Sequence, residues 1–121
     1  MPKKIEVVHT AGYDPSINLP YAPAVKVTGG STLFLAGVTA DRTYHHHPHI
    51  PEEFADIPEG VAQQTRLALE NVKKALDACG ATFSDVVQVT RYLTNIDGQD
   101  QLTRCGGNIL ATTGPGRRLL R

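Results

Sequence analysis

One segment constrains the fold of this chain more than any other. Between Val61 and Cys79, the residues Val61, Thr65, Ala68, Leu69, Val72, Leu76 and Cys79 recur at steps of three and four, with Gln64, Arg66, Glu70, Lys73, Lys74 and Asp77 at the other positions. A period near 3.6 places the first set on one face of an α-helix and the second in solvent. Asp56 or Pro58 can open this helix, Glu70 can pair with Lys74 one turn later, and Gly80 stands where a left-handed residue would close it. A helix with a single apolar stripe must lay that stripe on something, and a sheet is the economical partner.

The strands are sought on either side. Ile5 to Val8 is a short β-rich run. The stretch from Pro15 to Pro23, with three prolines and an asparagine, reads as a loop. Val25-Lys-Val-Thr28 alternates apolar and polar residues, Gly29-Gly30-Ser31 supplies a turn, and Leu33-Phe-Leu-Ala-Gly-Val38 has the look of a buried strand, which together predict a β-hairpin. From Thr39 to Pro58 no period is sustained, and an extended surface loop carrying four of the five histidines is expected. After the Gly80 turn, Val86 to Thr94 is rich in β-branched residues and predicts a strand, so that strand, helix and strand form a right-handed crossover. The expected class is α+β.

Size and charge bound the function. A length of 121 residues suits one domain with one core. Twelve acidic residues balance twelve basic ones, so no field from the whole chain draws in nucleic acid or an anionic membrane. Apolar runs fall short of the ~20 residues that span a bilayer, and the opening Met1 to His9 lacks the apolar stretch of a signal peptide. A cytosolic protein is the expectation. Cys79 and Cys105 share no metal or redox spacing, and no disulfide is expected.

Three places invite a chemical reading. Tyr21 lies in Leu19-Pro-Tyr-Ala-Pro23, where a proline-stiffened loop can project a phenol that donates a hydrogen bond or positions a water; on composition alone, a ring packed beneath the loop is the plainer reading. Ala36-Gly37 removes side chains at the end of an expected strand, which admits a small ligand to backbone N–H and C=O groups or simply marks a bulge. His45-His-His-Pro-His49 offers imidazoles suited to zinc, nickel or copper. A metal site also requires fixed geometry and supporting hydrogen bonds, so a solvated loop with no metal is expected. Asp41, Glu52, Glu53 and Asp56 crowd the same region and read mostly as solvated loop charges.

Taken together, Leu19-Pro-Tyr-Ala-Pro-Ala24, Leu33-Phe-Leu-Ala-Gly37, the helix from Val61 to Leu76 with its Glu70-Asn71-Val72, Gly80-Ala-Thr-Phe-Ser-Asp-Val-Val87 and Thr90-Arg-Tyr-Leu-Thr94 resemble the Rid (YjgF-type) family. The similarity runs in the family's order from about Tyr21 to Leu102. It implies a chorismate-mutase-like α+β fold, a mixed sheet with helices on one face, assembled as a homotrimer with sites in the clefts between subunits. It also implies cofactor-independent hydrolysis of small carboxylated enamines or imines, such as 2-aminoacrylate, to a 2-oxo acid and ammonia. Tyr21 matches the family's site tyrosine and Gly37 the glycine lining the pocket, while Ala36 stands where a serine is common. A 2-aminomuconate-type deaminase, and a non-enzymatic ligand-binding or holdase-like trimer, are the competing readings.

Residues 103–121 depart from that pattern. The arginine that holds the substrate carboxylate in the family, and the glutamate that handles water, have no counterpart motif there. Restoring one base after a CTG codon for Leu102 converts the following stretch, with suitable wobble bases, into LNAVWGEYFGDHRP, which resembles the family's second helix and following loop. The expectation is a single domain over 1–121, family-like to about Leu102, with altered closing elements and impaired activity.

Overall fold

A computed structural model describes residues 2–17, 22–102 and 104. Among them the order is two strands, a 3-10 turn, one long helix and two further 3-10 turns, an α+β arrangement. Strand β1 (Lys4–Val8) pairs antiparallel with β2 (Ala24–Thr28), with Ile5 opposite Val27 and Val7 opposite Val25. Ile5, Val7, Val25 and Val27 thus share one face of the ribbon, and Lys4, Glu6 and Lys26 take the other together with Val8, as a period of two requires.

This pairing corrects the expected hairpin. β2 joins β1 rather than the segment 33–38, which carries no strand; Val86–Thr94 likewise runs without one. β-propensity specifies a side-chain set that suits a pleated surface, and it does not name the partner that completes the hydrogen-bond ladder. The apolar residues of 33–38 consequently stay open, with Phe34 92% exposed and Leu33 and Leu35 also exposed. The sheet among the described residues is the antiparallel pair alone.

Helix α1 (Val61–Ala78) forms where the period demands it. Its start is set later than Asp56 or Pro58, at Gly60, and Gln64 reaches back to donate its side-chain N–H to the Pro58 carbonyl at 2.6 Å. At the other end Gly80 adopts φ +72°, the Ala81 N–H bonds to the Leu76 carbonyl at 2.9 Å and the Gly80 N–H to that of Asp77 at 3.1 Å. These two bonds make a Schellman cap that satisfies carbonyls the helix leaves orphaned. The ion pair one turn apart is Lys73 with Asp77 at 2.9 Å, in place of the expected Glu70–Lys74. Both pairings satisfy the same spacing, and Lys73–Asp77 has the acid nearer the helix C-terminus, so the choice does not come from the helix dipole.

The core is small. Leu76 on α1 and Phe83 in the 3-10 turn Phe83–Asp85 are buried, and Thr65 is buried with its hydroxyl satisfied by the Val61 carbonyl at 2.7 Å. Thr82 and Asp85 cap that turn reciprocally, and Asp85 also pairs with Lys3, tying the edge of β1 to the loop after the helix. The turn Ile96–Gly98 approaches the helix start so closely that a Cβ on Gly98 would lie 2.8 Å from Val61 Cγ2.

Candidate functional site

Residues from the approach to β2 and from the stretch 87–102 line an open cleft of about 790 Å³. Ala22 and Val25 come from the approach to β2. Val87, Gln88, Val89, Thr90, Arg91 and Leu93 come from the extended run after the helix, and Ile96, Gln99 and Leu102 close it. Such a volume suits a small molecule, and the lining mixes aliphatic side chains with the polar Gln88, Thr90, Arg91 and Gln99. Among the described residues the lining includes one basic side chain, Arg91, and no acidic one. A guanidinium is a group that can recognise a carboxylate or another planar anion.

Of the residues singled out in the sequence, Tyr21 lies outside the described residues, although its neighbour Ala22 lines the cleft. Ala36 and Gly37 are exposed on the extended segment 33–38 and are not in the lining, and a Cβ added to Gly37 would meet nothing within 4 Å. Within one chain, the structure therefore does not bring Gly37 and Arg91 into one wall. Gln88 carries no sequence signal beyond its place in a β-rich run, and Arg91 only its place in the Thr90-Arg-Tyr-Leu-Thr94 motif; it is the approach of 87–102 to Ala22 and Val25 that brings them to a cavity.

A second cluster lies in the loop 39–58. Asn71, on α1, donates to the carbonyls of Thr39 and Asp41 at 3.0 and 2.8 Å and fixes where the loop leaves the helix. Further on, Glu53 in the 3-10 turn Pro51–Phe54 accepts from the His46 backbone N–H at 3.0 Å and contacts the His46 ring nitrogen at 2.8 Å, with Arg42 at 3.9 Å. The His46 backbone N–H, and then its ring, hold the Glu53 carboxyl below the ordinary glutamate range. Glu53 is thus a brace for the loop, whereas Glu52 and Asp56 are exposed, as loop charges were expected to be.

The brace organises the other imidazoles. Phe54 packs its ring against His45 and His49, with centroids 5.2 and 5.0 Å away. His45, His47 and His49 converge so that one ligand atom from each lies within 4.8 Å of the other two. A sequence reading of a proline-broken loop offered no ground for this convergence, because it depends on Glu53 and Phe54 reaching back across the loop.

Comparison with known proteins gives the chain a family. A profile of the family described as Endoribonuclease L-PSP matches residues 12–118. The chain belongs to that family, the RidA/YjgF group that its motifs resemble. A RutC family protein of Pyrococcus abyssi is 35% identical over 78 residues, 64% of this chain and 54% of the relative. A protein of Escherichia coli named putative reactive intermediate deaminase TdcF is 32% identical over 78 residues, 64% of this chain and 52% of the relative. Reactive Intermediate Deaminase A, chloroplastic, of Arabidopsis thaliana is 33% identical over 93 residues, 77% of this chain and 44% of the relative. The Rid-family chain spans about half the length of these curated relatives. No solved structure matches it. Among the described residues no helix is long and apolar enough to cross a membrane.

Proposed function

We propose that this Rid-family chain is a cofactor-independent enamine/imine deaminase, taking small carboxylated imines of the 2-aminoacrylate type in the cleft lined by Arg91. The observation that carries this reading is the family match, in a chain whose relatives bear the name reactive intermediate deaminase, together with an open cleft whose described lining includes Arg91. The chemistry asks for positioning more than for strong catalytic groups. An imine carbon is already electrophilic, so water adds to C=N, and the resulting carbinolamine expels ammonia and leaves a 2-oxo acid. Arg91 would attract the carboxylate as a weaker substitute for the family's missing arginine, Gln88, Thr90 and Gln99 would supply hydrogen bonds, and Tyr21, which matches the family's site tyrosine, would orient the water.

The cellular setting and assembly belong to the same proposal. The protein works in the cytoplasm as a homotrimer, and the exposed Phe34 and Leu35 provide apolar surface for a neighbouring subunit, which would also bring Ala36 and Gly37 to a cleft shared between chains. Turnover by the chain as written is weak, because residues 103–121 hold no motif for the family's arginine and glutamate. The family's description names an endoribonuclease, and the balanced charge of this chain favours the small-molecule reading over it.

The test is ammonia release from 2-aminoacrylate generated in the assay. Acceleration over the uncatalysed reaction supports an enzyme; saturable binding of a small carboxylate without acceleration would mark a binding protein instead. A larger aminated dienoic acid, of the 2-aminomuconate kind, serves as the competing substrate.

A further inference from the structure

We infer that His45, His47 and His49 form a binding site for a divalent transition-metal ion, with a coordination position left open to water or a small ligand. The inference rests on the loop alone and is independent of the deaminase reading. One ligand atom from each ring lies within 4.8 Å of the other two. Tetrahedral coordination at ~2.0–2.1 Å sets ligand nitrogens roughly 3.3–3.4 Å apart, so the rings close on an ion by a movement on the order of 1 Å, within the reach of side-chain rotation.

Two further observations separate this cluster from a chance run of histidines. The Nδ1 of His45 lies 2.9 Å from the Arg42 carbonyl. A carbonyl only accepts, so Nδ1 carries the hydrogen and Nε2 keeps its lone pair for a metal, the outer hydrogen bond that ligating imidazoles usually make. The second is selective orientation. His46 turns away to Glu53 at 2.8 Å, while the rings of His45 and His49 rest on Phe54 and face His47, with centroids 4.8 Å from His45 to His47 and 4.9 Å from His47 to His49. The alternating rings are thereby sorted into one brace and three ligands.

The donor set selects the ion. Three neutral imidazoles suit Zn²⁺, Ni²⁺ and Cu²⁺, whereas Mg²⁺ and Ca²⁺ require oxygen ligands that this cluster does not offer. His45 is half-buried, and His47 and His49 are exposed, so an ion reaches the site directly from solvent.

The experiment is calorimetric titration of the full chain with Zn²⁺, with Mg²⁺ as the hard-ion control and helix content followed by circular dichroism. The expected result is one Zn²⁺ per chain, with a dissociation constant on the order of micromolar, and no response to Mg²⁺. The His47→Ala variant should bind at least about tenfold more weakly at unchanged helix content, because one of three direct ligands is lost. His9→Ala, which alters a ring stacked on Tyr13 away from the loop, should bind as the unaltered chain does. Absence of saturable Zn²⁺ binding would overturn the inference. So would equal affinity in a variant with His45, His47 and His49 all replaced by alanine, or an equal loss in His9→Ala.

Discussion

The side-chain amide of Asn71 donates to the carbonyl of Asp41 at 2.8 Å, across 30 residues of chain. This bond, doubled by the contact to the Thr39 carbonyl at 3.0 Å, pins the start of the histidine loop to the middle of α1. Asn71→Ala leaves two carbonyls without that donor and should cost about 1–2 kcal/mol. A urea unfolding curve should show the midpoint fall with its slope retained; an unchanged midpoint would show that the loop is held by other contacts.

Three glycines separate three physical effects. Gly80→Ala meets no atom within 4 Å but is forced to hold φ +72°, and it should cost about 1 kcal/mol from backbone conformation alone. Gly98→Ala places a Cβ 2.8 Å from Val61 Cγ2 and should cost roughly 1–3 kcal/mol by overpacking. Gly37→Ala encounters neither obstacle within the chain, so thermal unfolding should be unchanged. If Gly37 faces a cleft shared between subunits, its alanine variant should instead lower turnover at full stability.

The depressed pKa of Glu53 has a pH consequence of definite sign. A carboxyl held lower in the folded loop than in the open chain contributes stability that is complete above the ordinary glutamate value, and this is lost as pH falls through the depressed one. Loop docking should therefore loosen on acidification below the ordinary glutamate range. Glu53→Gln should remove that acid-dependent loosening, as read by the amide exchange of the His46 N–H. Identical pH profiles in the two proteins would assign the loosening to another group.

Much of α1 was legible in the sequence, because a period sustained over five turns and a glycine stop are local signals. The segments of β1 and β2 were legible as β-rich runs, yet their pairing was not, since Ile5 and Val7 read no differently from Leu33 and Leu35 as partners for Val25 and Val27. The family likeness was carried by motifs around the helix. The cleft was hidden because Ala22 and Arg91 are far apart in sequence, and the histidine cluster because the order of its rings depends on Glu53 and Phe54. Tyr21, which matches the family's site tyrosine, lies outside the described residues.

If Arg91 holds the substrate carboxylate, Arg91→Ala removes a charge-assisted contact worth about 1.5–3 kcal/mol and should lower kcat/KM roughly tenfold to a hundredfold. Arg91→Lys keeps the charge but loses the planar fork and should recover only part of it. A neutral amide or ester analogue of the substrate should be insensitive to both changes. Equal losses for charged and neutral substrates would show that Arg91 acts through the packing of 87–102.

The proposal of a deaminase with a catalytic arrangement impaired after Leu102 can be checked by ammonia release from 2-aminoacrylate, measured for the chain as written beside a form with one base restored at the Leu102 codon. The account predicts clear acceleration by the restored form and turnover lower by about a hundredfold or more in the chain as written, the effect expected from losing a buried charge-assisted pair worth several kcal/mol. Failure of both forms to accelerate the reaction would contradict the deaminase assignment, and equal turnover would show that the chemistry does not depend on the residues after Leu102.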